Sequence, residues 1–509
     1  MINIFPRFDP VRAARTRDPQ GGVVAGIDLT TITGAPMFIA PKKSDSGVQA
    51  APSSDHVPPR AEQSWTGSHG SAGMGLAAIA EQLVAKAVAI GASDIHVTPC
   101  TNRVLVRMRV DGAMLDVLEL PVTSGRQLIH HFKVMAGMDP SRTFIPTDGR
   151  QTRYVNGHEV DIRLACAPCV AGENLAVRLL SRQRLKRTID DLGLSEPDRS
   201  PIEKWLNGNA GMLLAAGPTG SGKTTTLCAM LHELKMTGRR VVTIEDPVEY
   251  QIDGVAQMQV DERHGLTFAE GLRAMLRLDA DYLLIGEIRD SETAQVALEA
   301  STSGRRLMST LHSCDAFGVI TALRNWGMAD NEITTSLSMV IGQRLLRKLC
   351  PHCRRRAAPA ETTVQWLTTL GLPVPKYVWH PTGCSECHQI GYSGRTGLFE
   401  VWSLEEEAYQ LIREHAREST LRESMVAKGH RPLILEGISM AAEGIISFDE
   451  LRSLGAFFIP APSTPADELL QETLNCRSAG AAAFHSDELS NVVPPVIMST
   501  GPSDPMSVL

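Results

Sequence analysis

The eight residues Gly217-Pro-Thr-Gly-Ser-Gly-Lys-Thr224 carry glycines, a lysine and a hydroxyl at the spacing G-x-x-x-x-G-K-[ST]. That spacing suits a triphosphate. Glycines let backbone N–H groups turn inward around phosphates, and the N-terminus of a following helix adds partial positive charge. Lys223 can reach the β- and γ-phosphates, and Thr224 offers a hydroxyl to Mg²⁺. The candidate nucleotide-binding residues are therefore Gly217, Pro218, Thr219, Gly220, Ser221, Gly222, Lys223 and Thr224. A chance glycine-rich turn is the competing reading. The setting speaks against it, because the apolar run Met212–Ala216 precedes the loop and a helical pattern follows it.

Phosphoryl transfer also needs groups that orient water and stabilise charge. Two acidic clusters, Ile244-Glu-Asp-Pro-Val-Glu249 and Leu283-Leu-Ile-Gly-Glu-Ile-Arg-Asp290, each end an apolar run. Ligand groups gather at the carboxyl ends of parallel strands, so both clusters are expected to face the loop. Gly286 stands where many P-loop enzymes carry a magnesium-linked Asp, which makes Glu287 the candidate for positioning metal or water. A third run ends in Ser309-Thr-Leu-His312, where His312 could sense phosphate or contact an acidic neighbour. Solvated strand-end carboxylates and a structural histidine are the alternatives.

Cys350-Pro-His-Cys353 and Cys384-Ser-Glu-Cys387 can each present two thiolates to one ion, and together they close a tetrahedron around zinc. Four sulfurs leave no place for water, so such a zinc is structural. Two independent redox thiol pairs are the alternative. His352 and His388 are spare ligands, and Cys166 and Cys169 read as strand residues despite their spacing.

A chain of 509 residues is too long for one core, and a formal charge of −7 gives no support to nucleic-acid binding. No run of about 18 apolar residues occurs, and the start lacks a secretory signal, so a cytoplasmic protein is expected. The spacing of Leu76, Ile79, Leu83, Ala87 and Ile90 predicts a helix. Strand-like runs at Asp94–Thr98, Val104–Val110, Glu159–Leu164 and Leu175–Leu180, with a helix at Gln127–Met135, predict a small α+β domain. Beyond it, Met212–Ala216, Val241–Glu245, Tyr282–Ile285 and Arg306–Thr310 alternate with helical segments, which predicts an α/β domain built on a parallel sheet. The expected organisation is a disordered tail at 1–74, the α+β domain at 75–185, a linker at 186–200, the ATPase core at 201–345, the tetracysteine subdomain at 346–400, a helical region at 401–457 and a disordered tail at 458–509.

The order of the phosphate loop, Ile244–Tyr250, Gly286–Asp290 and Ser309–His312 resembles the ATPases of type II secretion and type IV pilus assembly. Gly91–His96, Arg109–Gly112 and Asp148–Arg150 resemble that family's N-terminal signatures, so the likeness covers roughly 76 to 455. It implies a RecA-like core behind a PAS-like domain, and an ATP-hydrolysing homo-hexamer driving pilin polymerisation or pseudopilus extension. It implies that Glu287 is the main catalytic carboxylate, that Glu249 helps activate water and that His312 couples the γ-phosphate to domain movement. Arg163 and Arg178, with Arg273 and Arg277, match arginines that complete the family's nucleotide site; surface ion pairs are the alternative. The tetracysteine insertion implies contact with a polytopic inner-membrane platform protein, hence peripheral membrane association through partners. The basic residues near it, Arg344, Arg347, Lys348, Arg354, Arg355 and Arg356, suit an acidic partner or anionic lipid as well as they suit plain solvation. The implied cofactors are ATP, Mg²⁺ and Zn²⁺. Ala280, Ser303-Gly-Arg305 and Thr147 depart from the family's usual residues and mark a divergent branch.

Overall fold

A computed structural model describes residues 75–181, 187–208, 211–249 and 251–455. The expected tails at 1–74 and 458–509 lie outside these residues. Among the described residues no helix is long and apolar enough to cross a membrane.

The N-terminal half runs α1 (Leu76–Ala89), β1 (Ala92–Pro99), β2 (Val104–Val110), β3 (Ala113–Leu120), α2 (Val122–Met135), β4 (Thr147–Val155), β5 (His158–Cys169) and β6 (Gly172–Ser181). The strands form one antiparallel sheet in the order β3-β2-β1-β6-β5-β4. Period-two alternation places Ile95, Val97, Val106, Met108, Ile162, Leu164, Leu175 and Val177 in a core with Ala80, Leu83 and Val84 of α1 and Leu128, Ile129 and Phe132 of α2. Residues out of phase with that core, among them Asp94, Arg109, Arg150, Arg163 and Arg178, are cross-strand neighbours along one row.

The second half continues with α3 (Glu196–Asn207), β7 (Gly211–Ala216), α4 (Lys223–Met236), β8 (Val241–Glu245), β9 (Ala256–Gln259), α5 (Phe268–Met275), β10 (Tyr282–Ile285), α6 (Ser291–Thr302) and β11 (Arg306–Leu311). After α7 (Gly318–Asn325) and α8 (Asp330–Ser336) comes the long β12 (Leu337–Leu349). A small lobe of β13 (Arg355–Ala357), α9 (Glu361–Thr369) and β14 (Val378–His380) precedes β15 (Tyr392–Ser403). Four helices close the described chain: α10 (Glu406–Arg413), α11 (Glu418–Ala427), α12 (Leu433–Ala442) and α13 (Phe448–Arg452).

The sheet order is β15-β12-β7-β11-β10-β8-β9. All neighbours in it are parallel except β12 and β15, which pair antiparallel at one edge. Both faces are covered. In β7, Met212, Leu214 and Ala216 join a core with α5, α6 and α7, while Leu213 and Ala215 join another with α3 and α4. Burial on both faces explains why these strands read as unbroken apolar runs rather than alternating ones. From β7 the chain passes through α4 to β8, beyond β11 and β10, which leaves β7 at the crossover where ligand crevices form.

Candidate functional site

The loop at 217–222 links β7 to the start of α4 at Lys223, so the phosphate-cradling residues sit at a strand's carboxyl end and a helix's amino end. Two glycines are required by their surroundings. A Cβ on Gly217 would lie 2.5 Å from the carbonyl oxygen of Gln343 and from Ser221 Oγ. Gly222 has φ 92°, and a Cβ there would lie 2.8 Å from Gln343 Nε2. Gln343 is buried beneath the loop, and its Oε1 accepts from Thr226 Oγ1 at 2.8 Å. The ammonium of Lys223 donates to the loop's own carbonyls, Gly217 O at 2.8 Å and Pro218 O at 3.1 Å. Burial pulls its pKa below the ordinary lysine value, the Glu287 carboxylate pushes it back up, and Arg344 adds a smaller downward push. Thr224 stands exposed in the first turn of α4.

Three strand ends meet beside this loop. Asp246 follows β8, Glu287 follows β10 and His312 follows β11. Glu287 is largely buried, with Arg289 on Oε1 and His312 Nε2 3.3 Å from Oε2. Arg289 reaches Asp246 Oδ2 at 3.2 Å. The backbone holds this arrangement: Gly286 N donates to Ile244 O at 2.8 Å and Ile288 N to Thr310 O at 2.9 Å. With Ile288 buried between them, Glu287 and Arg289 project to the same side.

Glu287 and His312 are in contact, and the electrostatic effect of the Glu287 carboxylate on the Lys223 ammonium is that of two groups at one cleft. Glu249 is half-buried three residues beyond Asp246, and among the described contacts none joins it to the phosphate loop or to Lys223. Arg178 is held by Asp94 at 3.1 Å, and Arg163 lies 3.8 Å from Asp161. Arg273 is paired with Glu270 at 2.6 Å and Glu292 at 3.1 Å, and Arg277 is exposed just past α5. Among the described contacts none of the four reaches the phosphate loop. Arg289, Asp246 and Gln343 were given no role by sequence reasoning. For Arg289 a signal existed, since it stands two residues from Glu287 on an extended segment.

The four cysteines converge. Cys350 follows β12, and Cys387 shortly precedes β15, so the antiparallel pairing Leu349↔Tyr392 brings the two pairs together. All four sulfurs lie within 4.8 Å of one another. Three separations are 3.9 Å for Cys350–Cys384, 3.8 Å for Cys353–Cys387 and 3.7 Å for Cys384–Cys387. A regular ZnS₄ tetrahedron with bonds of about 2.3 Å has edges of about 3.8 Å, so the donor set fits zinc. Burial drives the Cys350 thiol up to about 12. Burial also opposes ionisation of Cys353, but N–H donation from Gly383 and the Thr382 hydroxyl bring it down to about 7. Four thiolates this close need a cation between them. Amides of Cys384 and Gly391 each donate to Cys387 Sγ at 3.2 Å, as they would to a ligating thiolate.

Comparison with known proteins agrees with this geometry. Residues 73–453 match the family described as "Type II/IV secretion system protein". Type II secretion system protein E of Pseudomonas aeruginosa is 40% identical over 369 residues, covering 71% of this chain and 73% of that protein. Type II secretion system ATPase E of Vibrio cholerae is 37% identical over 370 residues, covering 72% and 73%. Among solved structures, the Yersinia pseudotuberculosis ATPase DotB has a TM-score of 0.56 at 18% identity, covering 76% of this chain and 95% of its own. The pilus retraction motor PilT with bound ADP has a TM-score of 0.51 at 23% identity, covering 75% and 97%. These two likenesses speak for the fold alone. With a P-loop, a three-strand acidic cleft and a tetracysteine lobe within the matched span, the chain belongs to the type II/IV secretion system protein family.

Proposed function

We propose that this ATPase is a homo-hexameric motor that drives pilin polymerisation or pseudopilus extension from the cytoplasmic face of the inner membrane. The observation that carries the reading is Glu287, held between Arg289 and His312 at the mouth of the phosphate loop. In this reading the backbone of 217–222 and Lys223 take the phosphates, and Lys223 exchanges its two carbonyl contacts for the triphosphate. Thr224 and Glu287 are the residues that would hold Mg²⁺, which when bound neutralises phosphate charge. Glu287 orients the attacking water, Glu249 assists it, and His312 registers whether the terminal phosphate is attached. Arg163, Arg178, Arg273 and Arg277 supply positive charge on closure, when it favours the transition state over the ground state.

The tetracysteine lobe is a metal-braced extension of the ATPase sheet and the proposed contact for a polytopic membrane platform protein. Membership of the secretion family and the absence of any apolar spanning helix among the described residues both support association through a partner. Lys223→Ala and Glu287→Gln are each expected to lower ATP turnover at least about 10²-fold. Added DNA is expected to leave the wild-type rate unchanged. Wild-type turnover in Glu287→Gln ends this reading.

A further inference from the structure

Arg289 lies in the cleft but has no part in the reaction outlined above. Its Nη1 stands 3.2 Å from Asp246 Oδ2, its other terminal nitrogen pairs with Glu287, and its guanidinium carbon is 5.9 Å from the Phe268 ring centroid. The contacts form an unbroken chain across three adjacent strand ends: Asp246 beyond β8, Arg289 and Glu287 beyond β10, His312 beyond β11. The hydrogen bond with Glu287, against a smaller effect of burial, raises the guanidinium pKa further, so the group is always charged.

We propose that Arg289 is a positioning residue for ATP hydrolysis, tying one oxygen of Glu287 to Asp246 and so fixing the direction of that carboxylate. The inference rests on the reading of Glu287 as the catalytic carboxylate. A glutamate side chain has three rotatable bonds, and left alone at a cleft mouth it samples several orientations. Lys223 does not restrain it, because its ammonium is engaged by Gly217 and Pro218. His312 holds one oxygen, and a single contact leaves the carboxylate free to turn about it. The guanidinium, gripped on its far side by Asp246, supplies the second fixed point. A planar fork suits this bridging task better than an ammonium does. Misplacement of a catalytic group by about 1 Å costs about 10²-fold in rate.

The test uses the full chain and compares kcat and KM for ATP in wild type, Arg289→Ala, Arg289→Lys, Asp246→Asn and the double variant Asp246→Asn/Arg289→Ala. Arg289→Ala is expected to lower kcat by about 10²-fold while KM changes by less than about threefold, as loss of an interaction needed only for the chemical step requires. Arg289→Lys recovers part of the loss, and Asp246→Asn loses less than Arg289→Ala. The double variant is no worse than Arg289→Ala, because the two residues act as one unit. Strictly additive losses, a Lys variant no better than Ala, or a change confined to KM overturns the proposal. If Arg289→Ala does not fold, Asp246→Asn and Arg289→Lys decide it: wild-type kcat in both overturns it. Glu287→Gln separates the two levels. If it is inactive while the Arg289 variants keep wild-type kcat, only the positioning role fails; if it hydrolyses ATP normally, the reading beneath fails.

Discussion

An ammonium group cut off from water needs acceptors in the protein, and Lys133 finds a carboxylate. It is fully buried on α2, 2.5 Å from Glu173 Oε1 and 2.8 Å from Arg142 O. Glu173→Ala is expected to cost about 3–5 kcal/mol by stranding that charge, whereas Lys133→Met with Glu173→Leu costs little or nothing. Urea unfolding of the three proteins checks the ordering. Asp198 poses the opposite problem. Burial raises its carboxyl to about 6, against the pull of Arg431 and the Ser195 hydroxyl. Its folded pKa therefore lies above the unfolded value near 3.9, so the folded protein holds the extra proton between about pH 4 and 6. Stability contributed by this group falls as pH rises through that window and is level above it. Relative to Asp198→Asn, the wild type is expected to lose up to about 3 kcal/mol between pH 4 and pH 7, read from denaturation midpoints at both values. Neither residue is visible as special in the sequence, because both effects come from packing between distant segments. The phosphate loop and Glu287 are visible there, because each is a run of neighbours on a strand end. Asp94, the partner of Arg178, is a cross-strand neighbour whose pairing depends on register, which short apolar runs do not specify, whereas Asp161 stands two residues from Arg163 on the same strand.

At the scale of elements, unbroken apolar runs and clean alternation were both legible: the runs at Val241–Glu245 and Tyr282–Ile285 coincide with β8 and β10, and the alternating run Val104–Val110 coincides with β2. β3, β4, β9 and β12 were missed, as were the short β13 and β14. The burial of β4 alternates between half-buried and exposed, with no fully buried position to give an apolar signal. β15 was hidden for another reason. Its residues follow the second cysteine pair and read as part of the insertion, yet they return to the ATPase sheet and pair with β12 from Met339↔Ser403 to Leu349↔Tyr392. The lobe is thus carried on the far end of a long antiparallel ladder rooted beside β7. Thiolate ligation supplies local folding energy on the order of 10 kcal/mol. One zinc per chain is expected by native mass spectrometry, released on acidification because the ligands must be deprotonated. Cys387→Ser is expected to lose the metal and the protease resistance of the segment 350–391. ATP binding at the phosphate loop survives, since the ladder's inner rungs do not include the cysteines. Loss of nucleotide binding in that variant would contradict this separation.

At the scale of the molecule, a motor of this kind must transmit a change at the phosphate loop to the N-terminal sheet, and the described contacts offer one route. The β2–β3 turn carries Asp111, at φ 48°, whose Oδ2 accepts from Gly394 N at 2.7 Å and whose Oδ1 lies 3.6 Å from Arg395. Ile390 packs against the core of the N-terminal sheet. These contacts fall just past the last cysteine, Ile390 ahead of β15 and Gly394 and Arg395 at its start, so the N-terminal half leans on backbone that adjoins the tetracysteine cluster and that β12 connects to the floor of the phosphate loop through Gln343. A partly buried, charge-assisted bond from a backbone amide is worth about 1.5–3 kcal/mol. Asp111→Ala is therefore expected to speed hydrogen exchange of peptides covering 389–396 by about 10- to 10²-fold, as local opening becomes easier by that amount. Exchange in α4 should not change. Arg395→Ala removes only the longer ion pair and is expected to have a smaller effect, which separates the amide contact from general charge. Equal exchange in wild type and Asp111→Ala would mean that the turn rests on the segment beside the tetracysteine cluster without holding it, and the route from phosphate loop to N-terminal sheet would then have to run elsewhere.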